Sequence, residues 1–119
     1  MSFKWPNKDP DETLDYSMDW SRFLGYDHPN TTGTTINTFK WFVDNASGVK
    51  TELSSSGNTT VNGLTSLYAG MMKDTATSTV CTVRFSAGTN NTTYKVTNQI
   101  TDSDGLVSER VVKLRIKEN

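Results

Sequence analysis

The sequence predicts an all-β chain folded as an antiparallel β-sandwich of about seven strands. Three observations lead there. Thr (19) and Ser (12) make up about a quarter of the 119 residues, and Thr suits a pleated, half-exposed surface better than a helix. Apolar and polar residues alternate with period two in several stretches. Clusters of Gly, Asn and Ser separate those stretches at short intervals, with no helical period between them to suggest βαβ units.

Taken in order, residues 1–13 read as an extended arm, because Pro6 and Pro10 bias Trp5 and Asp9 away from helix. Residues 14–119 read as one sandwich domain. Leu14, Tyr16, Met18 and Trp20 alternate with Asp15, Ser17, Asp19 and Ser21, the pattern of a half-buried strand with an acidic outer face. Residues 22–34 form a loop whose Phe23, Leu24 and Tyr26 are placed to plug one end of the core. Thr35 to Val43 is a strand with Phe39, Trp41 and Val43 on one face and Thr38 and Lys40 on the other. A turn at 44–48 leads to a short strand, Val49 to Leu53, and a second turn at 54–58. Thr59 to Tyr68 is ambiguous, although Asn62-Gly63 is a two-residue hairpin signal. Residues 69–77 read as a helical turn or loop. Ser78 to Ser86 puts Cys81, Val83 and Phe85 on one face and Thr82 and Arg84 on the other. Thr93 to Thr101 puts Tyr94, Val96, Asn98 and Ile100 together. After the Asp102–Gly105 turn, Leu106 to Lys117 carries Val112, Leu114 and Ile116 inward and Lys113, Arg115 and Lys117 outward.

Composition excludes several classes. Leu, Ile, Val and Phe supply only about a fifth of the chain, but a net charge of −1 lacks the self-repulsion of a disordered one. No apolar run approaches the roughly 18 residues of a membrane helix, and Met1–Pro6 lacks the apolar stretch of a secretory signal. The single Cys81 forms no internal disulfide. The charge balance argues against a dedicated nucleic-acid binder. No membrane partner is expected either.

The catalytic inventory is thin. His28, the one histidine, stands beside Pro29 in a loop with nothing placed to orient it. Cys81 falls on an apolar strand face, where an inert buried thiol is expected. Asp9-x-Asp11 opens like a calcium loop. Leu14 then stands where that loop needs glycine, and Trp20 where it needs the bidentate glutamate. Asp102 and Asp104 are explained by turn chemistry. No metal, cofactor or catalytic residue is assigned, and the chain is read as a non-enzyme. Five sequons, at Asn30, Asn45, Asn58, Asn90 and Asn91, barely exceed chance in so Asn- and Thr-rich a chain. Trp5, Trp20, Trp41, Tyr16, Tyr68 and Tyr94 allow a sugar-stacking platform, but most lie on inward faces and read as core.

Two features point outward. Phe3 and Trp5 are large apolar side chains on an arm, to be packed on the domain's own surface or docked as anchors on a neighbour. Charge is also uneven: residues 1–30 carry six acids and three bases, whereas residues 109–119 carry four bases and two acids. The acidic first strand and basic last strand neutralise each other within one sandwich, or meet between copies in a ring.

The opening Trp5-Pro6-Asn7-Lys8-Asp9-Pro10-Asp11-Glu12-Thr13-Leu14-Asp15-Tyr16-Ser17-Met18-Asp19-Trp20 resembles that of small bacteriophage fibre–tail adaptor or virion structural proteins, which reads W-P-x-K-D-P-x-E-x-L-D-Y-x-x-D-W. Phe85-Ser86-Ala87-Gly88 with Tyr94-Lys95-Val96-Thr97-Asn98-Gln99-Ile100-Thr101 is similar to their G-x-x-x-Y-x-V-x-N-x-I-x-T segment. About 16 residues at the start and 30 at the end carry the likeness. It implies an Ig-like sandwich in a virion tail, made in the host cytoplasm, bridging tail proteins and fibres or closing a ring of its own copies. Partner binding is then expected from Phe3, Trp5, Asp9, Asp11, Glu12 and Asp15 on the arm side, with Asp19, Lys113 and Arg115 on edge strands. The alternatives are a weak glycan-binding Ig-like module on the virion surface, or a binding domain or enzyme accessory module outside phages.

Overall fold

The computed structural model describes residues 3–20, 23, 35–72 and 79–118. Nine strands lie in them: β1 (Phe3–Lys4), β2 (Leu14–Asp19), β3 (Ile36–Asp44), β4 (Lys50–Glu52), β5 (Thr59–Val61), β6 (Leu64–Met72), β7 (Val80–Ala87), β8 (Thr92–Asp102) and β9 (Val107–Ile116). They form a five-stranded sheet in the order β1-β9-β8-β3-β4 and a four-stranded sheet in the order β2-β7-β6-β5. The fold is an all-β sandwich.

Alternation makes the two layers. Tyr16 and Met18 of β2 turn inward while Asp15, Ser17 and Asp19 face solvent. Trp41 and Val43 of β3, Tyr94, Val96 and Ile100 of β8, and Val112, Leu114 and Ile116 of β9 come from the larger sheet. Cys81, Val83 and Phe85 of β7 meet them from the smaller one. Each fully buried large side chain contributes roughly 1.5–3 kcal/mol by leaving water. Trp20 and Asn98 form one tied polar chain in this core, whereas the Tyr16 hydroxyl and the Trp41 indole N–H are buried without a hydrogen-bond partner among the described residues. Trp20 Nε1 donates to Asn98 Oδ1 at 2.8 Å, and Asn98 Nδ2 donates to the Lys40 carbonyl at 3.1 Å.

The ambiguous stretch resolves as the β5–β6 hairpin, closed by Asn62 (φ 50°) and Gly63 (φ 89°) with Val61 opposite Leu64. Both turn residues take the positive φ that a type I′ turn requires. Ala69–Met72 corrects an expectation: these residues continue β6 rather than turning. Two register shifts in the β6–β7 pairing, between Ser66 and Tyr68 and between Tyr68 and Met71, erase the alternation that marks a strand. Residues 73–77 lie outside the described set. Leu14, expected inward, is 38% exposed at the start of β2. Thr82, expected outward, is buried, with its hydroxyl 2.8 Å from that of Ser17. Leu24 and Tyr26 lie outside the described residues. Phe23 is exposed, edge-on to Trp20 at 5.5 Å.

The first residues are also a finding. β1 pairs with β9 in parallel, Phe3 opposite Val112 and Lys4 opposite Lys113, the one parallel strand pairing among the described residues. The Trp5 and Lys8 amides donate to the Lys113 and Arg115 carbonyls at 3.0 and 2.9 Å, and the Lys117 amide returns one to Lys8 at 2.8 Å. The segment extends the larger sheet along its outer edge and so sets where the next residues stand.

Candidate partner-binding surface

The arm crosses the open side of the sandwich, between the β9 edge of one sheet and the β2 edge of the other. Trp5 is half-buried there. Its ring lies 4.7 Å from that of Tyr16 and 6.0 Å from that of Trp41, so it packs on this domain's own core. Phe3 is positioned by its backbone pairing alone; its side chain lies outside the described set. Lys8 is fully buried, its ammonium donating to the carbonyls of Asp9 at 2.9 Å and Ala87 at 2.7 Å. Burial pulls its pKa below the usual lysine value, against the opposing pull of Glu12, Asp9 and Asp11.

Immediately after Lys8 the chain turns. The Asp9 carboxylate accepts the Asp11 amide at 2.8 Å, the Glu12 carboxylate accepts the Asp9 amide at 2.9 Å, and the Glu12 amide closes on the Asp9 carbonyl at 3.0 Å. Local hydrogen bonds of this kind hold a turn without help from the core. Asp11 and Glu12 stand exposed on it and Asp9 is half-buried. The Tyr16 phenol beneath is pushed up to about 12, by burial first and by the charge of Glu12 second.

The remaining expected residues separate. Asp15 takes Arg84 of β7, with contacts of 2.7 and 3.2 Å. Asp19 meets β9 through its backbone, its carbonyl accepting from Arg110 Nη1 at 3.2 Å. Lys113 and Arg115 lie on the outer face of β9, where Lys113 is exposed and Arg115 Nη1 donates to Thr93 Oγ1 at 3.2 Å. The structure therefore brings Trp5 and the Asp9–Glu12 turn together at one corner, with Lys113 and Arg115 around the edge from them. Sequence reading missed Lys8 and Arg110. Arg110 lies 4.3 Å above the Trp20 ring and 5.7 Å from that of Phe23. Alternation along β9 places Arg110 inward, which was the available signal.

Cys81 is wholly buried, and burial pushes its thiol up to about 12. Asp102 is buried and spends its carboxylate on the amides of Asp104 and Leu106. Among the described residues there is no pocket and no group of three side chains spaced for a metal. His28 lies outside them. Of the six aromatics considered for stacking, Trp20, Trp41, Tyr16 and Tyr94 are core and Trp5 is half-buried; Tyr68 is 40% exposed.

No curated protein matches the chain. Residues 8–115, from the buried lysine through the acidic turn to Arg115, match the family described as Podophage GP4 fiber-tail adaptor protein gp77. That stretch reaches every strand but β1 and takes in every expected partner-binding residue except Phe3 and Trp5, and on it the chain belongs to the podophage GP4 fiber-tail adaptor family.

Proposed function

We propose that this chain is a structural, non-catalytic component of the phage virion that bridges tail proteins and fibres through its acidic turn and edge strands. Family membership supports a tail adaptor at a tail location. The observation that carries the finer reading is the turn at Asp9–Glu12. It is held by its own hydrogen bonds and anchored through Lys8 to both sheets, yet leaves Asp11 and Glu12 in solvent. A charged loop on so rigid a base loses little entropy on docking. Asp9, Asp11 and Glu12 are its contacts, with Asp15, Asp19, Lys113 and Arg115 at the flanking edges and Phe3 and Trp5 aligning the arm. The partners are tail or fibre subunits and further copies of the chain arranged in a ring, with neither nucleic acid nor membrane engaged. The chain is made in the host cytoplasm before assembly.

The test keeps the arm intact, since Trp5 and Lys8 belong to the fold. Phage are assembled with Asp11→Lys/Glu12→Gln, which keeps a side-chain acceptor for the Asp9 amide, in place of the natural chain, and purified particles are quantified by mass spectrometry. The variant is expected to fold and to be depleted from particles. Wild-type incorporation of the variant overturns the role given to the turn.

A further inference from the structure

On the outer face of the five-stranded sheet, Lys4, Lys113 and Lys95 stand directly opposite one another on three adjacent strands. Like charges so placed, with strands about 4.8 Å apart, repel and destabilise a sheet. Arg115 of β9 and Lys117, one residue beyond its end, continue the charge. Lys4, Lys95, Lys113 and Lys117 are exposed. Among the described residues no carboxylate comes within 4.0 Å of any of these five cations. The other lysines of this face are matched: Lys40 to Glu52 at 3.8 Å and Lys50 to Glu109 at 2.9 Å. Two acids lie nearby. Glu109 bonds Lys50 and Gln99 (2.8 Å) and feels Lys95 only at longer range, and Asp44, which follows the Val43–Val96 pair on β3, is half-buried and makes no ion pair within 4.0 Å among the described residues. The unmatched charge is thus concentrated at the β1–β9–β8 corner.

We infer that this corner docks an extended, carboxylate-bearing segment of a partner protein, with Lys4, Lys95, Lys113, Arg115 and Lys117 as the receiving cations. The inference rests on the adaptor reading above and supplies the chemistry of one partner. Lys113, Arg115 and Lys117 recur every second residue, roughly 6.6 Å apart along a strand. An extended segment with acids at alternate positions repeats at the same interval, so each carboxylate meets one cation. A long polyanion fits less well. Lys117 is hydrogen-bonded to Lys8, and the Asp9, Asp11 and Glu12 carboxylates beyond it bound the cationic run at that end, so it accommodates a short anionic segment rather than a long one. Nor, among the described side chains, does the patch offer an exposed aromatic for base stacking.

The probe is a short fluorescent peptide of alternating Glu and Thr, titrated by anisotropy into the full chain at about 0.1 M salt. A Gln–Thr peptide and a short DNA duplex serve as competitors, and sedimentation velocity runs in parallel. The Glu–Thr peptide is expected to bind about tenfold more tightly than the Gln–Thr peptide. Lys95→Glu/Lys113→Glu, folded by circular dichroism, is expected to lose that preference; Lys95→Gln/Lys113→Gln should weaken it. Equal binding of the two peptides overturns the inference, as does tighter binding of DNA, or a preference that survives the double charge reversal. Wild-type self-association abolished by the same reversal also overturns it, by making a second copy the occupant. A chain that enters particles but shows no carboxylate preference sinks this inference alone. A chain absent from particles sinks the adaptor reading instead.

Discussion

The buried ammonium of Lys8 donates to the carbonyl of Ala87, 79 residues away, at 2.7 Å. Its backbone is meanwhile stitched to Arg115 and Lys117 of the other sheet. One residue thus fastens the N-terminal segment to both layers. Lys8→Met keeps the aliphatic stem but leaves the Ala87 carbonyl without its donor. It should cost about 1–3 kcal/mol in urea unfolding, and residues 1–8 should become the first site of proteolysis. Unchanged stability with an unchanged cleavage pattern would show that backbone pairing alone holds the segment.

Asn98 serves two partners, accepting from the buried Trp20 Nε1 and donating to the part-buried Lys40 carbonyl. Asn98→Ala leaves both without their match and should cost about 2–4 kcal/mol. Trp20→Phe removes only the indole donor. In a double-mutant cycle the two should couple by about 1 kcal/mol; strict additivity would mean that the 2.8 Å bond adds nothing beyond packing.

How legible the chain is in its sequence follows from these residues. β2, β7, β8 and β9 keep period two over most of their length, so their inward faces can be read directly. The end of β6 cannot, because bulges break its period. Asn98 is legible as a polar residue on an apolar face, although nothing local says that its partner is Trp20, 78 residues away. Lys8 is illegible: a lysine among prolines and acids reads as solvated, and only the pairing of the arm with β9 buries it. For the surface, the acidic turn shows as composition. The Lys4–Lys113–Lys95 row does not, because it exists only once three strands are in register.

Gly70 marks the close approach that no pattern reveals. A Cβ there would stand 2.5 Å from the Ser55 carbonyl oxygen, backbone that has little freedom to give way. Gly70→Ala should cost about 2–3 kcal/mol in thermal or urea unfolding. Gly48 is the control, with a positive φ of 80° but nothing within 4 Å of its added Cβ. Gly48→Ala should cost only about 1 kcal/mol. Equal effects would locate the cost in backbone freedom rather than in the contact with Ser55.

Alkaline stability tests the core thiol. Burial pushes Cys81 from 9.0 up to about 12 and Tyr16 from 10.0 up to about 12. Both acids ionise more readily in the unfolded chain. Their contribution is therefore complete below pH 9 for Cys81 and pH 10 for Tyr16, and is lost as pH climbs through the window up to about 12. Lys8 acts in the opposite sense: its pKa is lowered from 10.5, so the cost of burying its charge fades as pH rises toward that value. Comparison with Cys81→Ala isolates the thiol, because Tyr16 and Lys8 are common to both chains. Between pH 7 and 11 the natural chain should lose about 2–3 kcal/mol more unfolding free energy than the variant. Parallel pH profiles for the two chains would mean that Cys81 ionises as easily in the folded sandwich as in the open chain, and that the core around Cys81 admits water.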